Sequence, residues 1–550
     1  MITNRFFRNA FALGLTLVFA ATVLAQAPPA PPVPAATTPT AARPAAQPTP
    51  SVPPMPADRK AYLDASRLKD PVKKIAALEK FMTDFPNSSM LYSAHMAIFE
   101  TLVKNNPTEK ERIMLHAGKT IEKAEDFMRA SLYSSLASRL NDAGVLLNEA
   151  EKFATDGLAA TEAELLKSAK QRKSTYLALL GRIYLKKGKL KEAEKNLRLA
   201  AEYNPQSSSA VAGLAELYQK KGDEKLALDY YAKAAVTGKV TKEQRTQLEM
   251  LYRKAHNGAL AGLEDKLDAD YTRLNPSPFT ATAYTPTPKR SNRTVLAEVF
   301  TGSACGPCVA ADLAFDQMLE RYKREEVMVL MYHMHIPGPD PMTNFNTLAR
   351  GKYYAVNGVP SYALDGNKQQ GGGGPRDYTK RIYDNVNPEV ERQLEKAAEA
   401  ELKLDVTFDG AQVKSKVALD KFTGEAANLK LHIVLAEERL RYTGENGVRF
   451  HPMAVRALAG KDGAGLPVTA PGAAMAEWTF DLAAVSAENK RHLDEFEKER
   501  GSETPIFTDR MEKIDPNNLV VVAFVQDDKS KAILQTTLLK LKPQVASSGR

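Results

Sequence analysis

TVLAEVFTGSACGPCVAADLAF, residues 294–315, decides the fold at the centre of this 550-residue chain. Its first seven residues are nearly continuously apolar, the pattern of a strand buried on both faces. After a short polar turn, Ala311, Phe315, Met318, Leu319 and Tyr322 recur at helical spacing. Between the two elements lie Cys305 and Cys308, the only cysteines in the sequence.

Three readings of the pair compete. A structural staple across so short a loop removes little unfolded-state entropy, about 2 kcal/mol or less. Exported domains that depend on staples also carry several cysteines. A metal site needs about four ligands and the thiols supply two. His333 and His335 alternate on the next strand and so share a face, which makes them weak candidates to complete a Cys2His2 set. Packing or hydrogen bonding at a strand end is the ordinary role of such histidines. A working dithiol accounts best for the position. Backbone N–H groups and the dipole of the helix that opens there stabilise a thiolate. Cys305, the more exposed of the two, then attacks, and Cys308, one turn inside, resolves the mixed disulfide.

EVMVLMYHMHI (326–336) reads as a second buried strand and FNTLARGKYYAV as a short helix. VPSYALDG reads as a third strand, and the segment from Pro375 to about residue 401 as closing helices. Strand–helix–strand–helix order means α/β. The Pro-rich loop 336–344 rims the site. The glycine run in GNKQQGGGGPR lacks the Lys-Ser/Thr of a phosphate loop and reads as a flexible hairpin connection.

These features together resemble the thioredoxin superfamily. The resemblance covers residues 291–400 and rests on CGPC in a strand-to-helix context and on Gly358-Val359-Pro360-Ser361 opening a later strand. It implies a dithiol–disulfide site at Cys305 and Cys308, with no cofactor. It also implies a cis Val359–Pro360 bond facing that site. Gly306, Pro307, Val359 and Pro360 would then hold substrate polypeptide, and Glu298 would be a buried proton relay whose pKa burial raises. Two departures stand out. One extra residue separates Glu298 from Cys305, and Ala304 replaces the usual Trp, which implies a more open surface around the dithiol.

From residue 401 to 550 the pattern alternates, as in LKLDVTFDG, QVKSKVALD and NLVVVAFVQDD, with turn signals at Asp409-Gly410 and Asn446-Gly447. A β-sandwich-like domain with a helical insertion at SAENKRHLDEFEKER is expected.

Residues 58–260 are helical in period. YLALLGRIYLKKGKLKEAEKNLRLAAEYNP, from Tyr176, aligns with GLAELYQKKGDEKLALDYYAKAA at an offset of 34. Gly181 matches Ala215, Gly188 matches Gly222, Ala193 matches Ala227 and Ala200 matches Ala234. The period and the small residues where paired helices touch resemble the tetratricopeptide repeat. SLASRLNDAGVLLNEAEKFATDGL and DPVKKIAALEKFMTDFPNSS read as further, degenerate units. Such an array is either a protein-docking surface or a spacer. Residues 261–290, ending in NPSPFTATAYTPTPKRSN, read as a linker.

Arg5 and Arg8, followed by FALGLTLVFAATVLA, read as a signal peptide over 1–25, cleaved after Ala25. Residues 26–57, rich in Pro and Ala, read as a disordered tether. Removing Arg5 and Arg8 takes the formal charge of +9 to about +7. The remaining positive charge sits on helices beside Glu, a solvated pattern with no basic–aromatic platform for nucleic acid. The expected architecture is therefore multidomain: α repeats, a central α/β domain and a C-terminal β domain. The expected product is periplasmic or secreted. Its partners would be proteins with thiols or disulfides, a possible membrane electron donor or acceptor, and an unknown protein docked on the repeats. Two functions follow from this: an exported thiol–disulfide oxidoreductase, or a non-catalytic repeat-based adaptor with a thioredoxin-like binding domain.

Overall fold

A computed structural model describes residues 55–542, apart from 163–167, 239, 370, 469–472, 502–504 and 508. The expected signal peptide and nearly all of the tether lie outside the described residues. Among the described residues, no helix is long and apolar enough to cross a membrane.

The N-terminal half is a helical array. It runs α1 (Ala57–Ser66), α2 (Pro71–Asp84), α3 (Leu91–Asn105), α4 (Lys110–Lys123), α5 (Asp126–Ala143) and α6 (Leu147–Glu162). It continues α7 (Ser168–Lys186), α8 (Leu190–Tyr203), α9 (Ser208–Lys221), α10 (Glu224–Thr237), α11 (Lys242–Ala255) and α12 (Leu263–Leu274). Helices α3/α4, α5/α6, α7/α8 and α9/α10 pack as consecutive pairs. The small residues at the repeat positions are where these pairs close. Ala193, Ala200, Ala215 and Ala227 are fully buried. A Cβ on Gly181 of α7 would lie 2.5 Å from Leu197 of α8, and one on Gly213 of α9 would lie 2.5 Å from the same leucine. Leu197 is thus clasped from both sides, and a larger side chain at either glycine would separate the helices.

The expected linker is corrected here. Part of it is α12, which buries Leu263, Leu267 and Tyr271, a stripe at four-residue spacing. Its other face carries enough Asp, Glu and Arg to mask the period. The Pro/Thr run after it is not a free tether either. Phe279, Ala281 and Tyr284 pack against the sheet core, and the Tyr284 amide donates to Arg321 O (2.9 Å).

The remainder alternates strands and helices. β1 (Val295–Thr301), α13 (Cys308–Arg321), β2 (Val327–His333), α14 (Phe345–Tyr353), β3 (Ser361–Leu364), β4 (Asn367–Gln369) and α15 (Thr379–Leu394) come first. They are followed by β5 (Glu401–Phe408), β6 (Gln412–Asp420), β7 (Leu429–Arg441), β8 (Phe450–Leu458), β9 (Leu466–Pro467), β10 (Ala473–Asp481), α16 (Leu482–Arg500), β11 (Leu519–Asp527) and β12 (Ile533–Lys540). One sheet has the order β12-β11-β7-β8-β2-β1-β3-β4, with β9 on β7. β1 and β2 are parallel, and β3 is antiparallel to β1.

The expected separate C-terminal sandwich is also corrected. β8 runs parallel to β2 and joins it through Met331 and Ala454, so β7, β8, β9, β11 and β12 extend the central sheet. Sheet-on-sheet packing does occur, between a small sheet of order β10-β6-β5 and one face of the large sheet. Val413, Val417 and Leu419 of β6 bury against Ile433 and Leu435 of β7 and Val521 and Ala523 of β11. The alternating pattern of β6 gives one buried face, whereas β7 and β11 are buried on both, as strands inside a covered sheet must be.

Candidate functional site: a buried disulfide at the β1–α13 junction

Side chains of a strand alternate between faces. On β1, Thr301 meets Asp312 of α13, with Thr301 Oγ1 donating to Asp312 Oδ2 at 2.9 Å. Phe300 instead meets Tyr354, just past α14, edge to face. Odd-numbered positions of β1 therefore face α13, and even-numbered positions face α14.

β1 ends at Thr301, Gly302-Ser303-Ala304 form the turn after it, and α13 begins at Cys308. Cys305 and Cys308 form a disulfide. The Cys308 amide donates to Cys305 Sγ at 3.1 Å, and Val359 O lies 3.8 Å from the same sulfur. The Val359–Pro360 bond is cis. Gly306 and Pro307 are exposed, and Val359 and Pro360 are half-buried. The structure thus brings Cys305, Cys308, Gly306, Pro307, Val359 and Pro360 together.

Glu298 is not among them. It is an even-numbered position, fully buried on the α14 face, across the sheet from α13. Arg350 of α14 clamps it, Nε to Oε1 at 2.6 Å and Nη2 to Oε2 at 2.8 Å, and Tyr354 donates to Oε2 at 2.7 Å. Burial would lower the Arg350 pKa, but Glu298 outweighs it and holds the guanidinium above its ordinary value. The expected relay role fails on geometry, because Glu298 lies on the face of β1 opposite α13 and is bound to Arg350 and Tyr354. Glu298 is instead half of a buried ion pair.

His333 and His335 also part company. β2 ends at His333, so strand alternation no longer aligns the two rings. His333 Nδ1 pairs with Asp340 Oδ2 (2.9 Å) on the dithiol side. His335 Nδ1 accepts the Asp340 amide (3.0 Å), so its Nε2 carries the proton toward His492 Nε2, 3.1 Å away on α16. Among the described residues, no group of three or more His, Cys, Asp or Glu is placed to hold a metal.

Three segments wall in the disulfide, contrary to the open surface that Ala304 implies. In the loop after β2, buried Asp340 accepts the Ser303 amide at 2.6 Å. Burial alone would raise the Asp340 pKa. His333 and the amide donors outweigh it and hold the carboxyl at about 2. From the β7–β8 loop, the Asn446 amide donates to Ser303 O (3.0 Å), and its side chain reaches Cys305 O (3.3 Å). The glycine run forms the third wall. The Gly374 amide donates to Pro307 O at 2.8 Å, and Gly374 O accepts the Ala310 amide at 3.1 Å. As a result Cys305 is 2% exposed and Cys308 0%. The run therefore straps Pro307 to the body of the domain rather than acting as a free connection. A Cβ at Gly373 would meet Pro307 O at 2.7 Å and Pro360 Cγ at 3.0 Å. Gly373→Ala is expected to push the strap off, so that the disulfide is reduced by a bulky phosphine about threefold or more faster. An unchanged reduction rate would show that the strap does not limit access.

The residue that sequence reasoning missed is Asp312, four positions after Cys308 on α13 and 4% exposed. Burial pushes its carboxyl up to about 7, against the Thr301 hydrogen bond. The signal available in the sequence was an acidic residue four positions after Cys308, on the same face of the helix. The β7–β8 loop is in turn anchored to the repeats, since buried Arg449 pairs with Glu264 and Asp268 of α12, both at 2.7 Å.

No protein-family model matches the chain, and no curated protein matches it. Parts of it are similar to solved structures. HBP35 of Porphyromonas gingivalis is 15% identical over 47% of this chain and 80% of its own, with a TM-score of 0.32. PilF of Pseudomonas aeruginosa is 18% identical over 40% of this chain and 92% of its own, at 0.28. PilW, described as a type IV pilus biogenesis factor, is 14% identical over 39% and 91%, also at 0.28. None of these matches reaches half of the present chain.

Proposed function

We propose that the chain is an exported thiol–disulfide oxidoreductase of thioredoxin-like type, with its helical array as a protein-docking surface. The observation that carries the reading is the disulfide between the only two cysteines, at the start of a helix whose first amide points at Cys305 Sγ. That amide and the helix N-terminus favour negative charge on Cys305 once the bond is reduced. The parallel β1–β2 pair, the antiparallel β3 and β4, and Val359–Pro360 beside the sulfur support the same reading.

In the reducing direction, the Cys305 thiolate attacks one sulfur of a client disulfide. A mixed disulfide forms and a client thiolate leaves. Cys308 then loses its proton and attacks Cys305 Sγ. The intramolecular disulfide forms, and the second client thiolate departs with two electrons now on the client. Reduction of insulin by dithiothreitol tests this. Wild type is expected to accelerate it and Cys305→Ser to fall to background; equal background rates for both would sink the proposal. A potential of the pair near about −270 mV would mark a reductant, and one near about −120 mV an oxidant.

The burial of both sulfurs favours a second reading, an adaptor that binds without turnover. It requires partner capture to survive in the Cys305→Ser/Cys308→Ser variant. Loss of every partner in that variant excludes it.

A further inference from the structure

Once the client is attached to Cys305, the buried Cys308 must shed a proton to become a nucleophile. Water is a poor acceptor there, because Cys308 is fully buried. The α13 face of β1 offers another. Asp312 lies one turn after Cys308, and side chains four apart on a helix share a face and lean toward its N-terminus. Its Oδ2 is pinned by Thr301, while its Oδ1 is buried with no hydrogen-bond partner among the described residues. His333 sits beside Thr301 in the β1–β2 register. Its Nδ1 is taken by Asp340, and its Nε2 is likewise buried without a partner.

We propose that Asp312 accepts the Cys308 proton during resolution of the mixed disulfide, a role that rests on the oxidoreductase reading above. The Cys308 S–H proton passes to the Asp312 carboxylate. The resulting thiolate attacks Cys305 Sγ and forms the Cys305–Cys308 bond, the Cys305–client bond breaks, and the client sulfur leaves as a thiolate. Asp312 then returns its proton to solvent or to the leaving thiolate, so no outside oxidant or base is consumed.

The surroundings suit the task. Burial raises the Asp312 carboxyl to about 7, the Thr301 hydrogen bond and His333 hold it back, and Asp340 and Asp316 push it up. An acceptor near that value is close to a thiol's ordinary range of about 8.5, so proton transfer is nearly balanced in both directions. Glu298 cannot substitute, since it lies on the opposite face of β1 and is committed to Arg350.

The test uses the full reduced chain and Ellman's reagent. Cys305 releases one thionitrobenzoate in a first phase, and Cys308 releases the second when it resolves the adduct. Asp312→Asn keeps an acceptor for Thr301. It is expected to slow the second phase about tenfold or more at neutral pH, to abolish its bend near pH 7, and to leave the first phase unchanged. A second phase with the wild-type rate and bend overturns the assignment. Thr301→Val provides an independent check, because removing its hydrogen bond moves the bend to higher pH; an unmoved bend also overturns it. A wild-type chain with no first phase overturns the oxidoreductase reading itself. A normal first phase with a second phase indifferent to Asp312 overturns only the proton assignment.

Discussion

Glu298→Gln is expected to destabilise the fold by about 3–5 kcal/mol, because it strands a buried guanidinium. Arg350 is 3% exposed and cannot shed its charge at any ordinary pH. Its remaining neutral partners are Gln526 Oε1 at 2.8 Å and the Tyr354 hydroxyl at 3.3 Å. Those contacts do not balance a full charge in a low-dielectric interior. The urea midpoint should fall sharply, while the first phase with Ellman's reagent is preserved under conditions where the variant remains folded. The double variant Glu298→Leu/Arg350→Met should recover most of the loss, since removing both charges removes the penalty. A relay role for Glu298 requires the opposite pattern, with slowed resolution and little change in midpoint. An unaltered midpoint in Glu298→Gln would show that the ion pair contributes nothing.

Acidification is expected to unfold the chain through its histidines. Burial lowers the pKa of His95, His335 and His492 to about 4 and that of His451 to about 3, and it also lowers His116 and His432. A depressed folded pKa means that the unfolded chain binds the proton first. This stability is therefore complete above the unfolded value of about 6.5 and is lost as pH falls through the folded values. Four carboxyls oppose the trend. Burial raises Asp312 to about 7 and Asp316 to about 6, and it also raises Asp365 and Glu437, so these groups favour the folded state on acidification. The lowered imidazoles outnumber the raised carboxyls, so unfolding takes up protons on balance as the pH falls. Thermal midpoints should therefore fall steadily from about pH 6.5 to pH 4. His451→Gln, which keeps an amide donor toward Tyr442 O, should flatten that slope. A midpoint independent of pH across this window would refute the assignment.

The disulfide site was legible in part because its main signal is local. Two cysteines, a preceding apolar run and a following helical period occupy one continuous stretch. The repeats were legible for a similar reason, since Gly181, Ala193, Ala200, Ala215 and Ala227 recur at a fixed spacing and each unit contacts its neighbours. The α12 stripe was harder to see because Glu264 and Asp268, which pair with Arg449, interrupt it with charge. Asp312 was passed over because an acidic residue on a helix is usually solvated, and only burial by β1 and β2 gives it a chemical role.

Periodicity along the chain determined where most strands and helices lie, that the N-terminal half is a repeat array, and that Cys305 and Cys308 sit at a strand–helix junction. Tertiary structure decided which face of β1 each side chain occupies, and hence that Asp312 rather than Glu298 stands with the dithiol. It also decided that β7, β8, β9, β11 and β12 continue the central sheet through β8, and that the loops at Asp340 and Asn446 close over the disulfide. The division follows from the range of the forces. Helical and strand periods are set by neighbours a few residues apart. Strand order, face and enclosure are set by register and packing between segments tens to hundreds of residues apart, where a shift of one residue reverses every side chain.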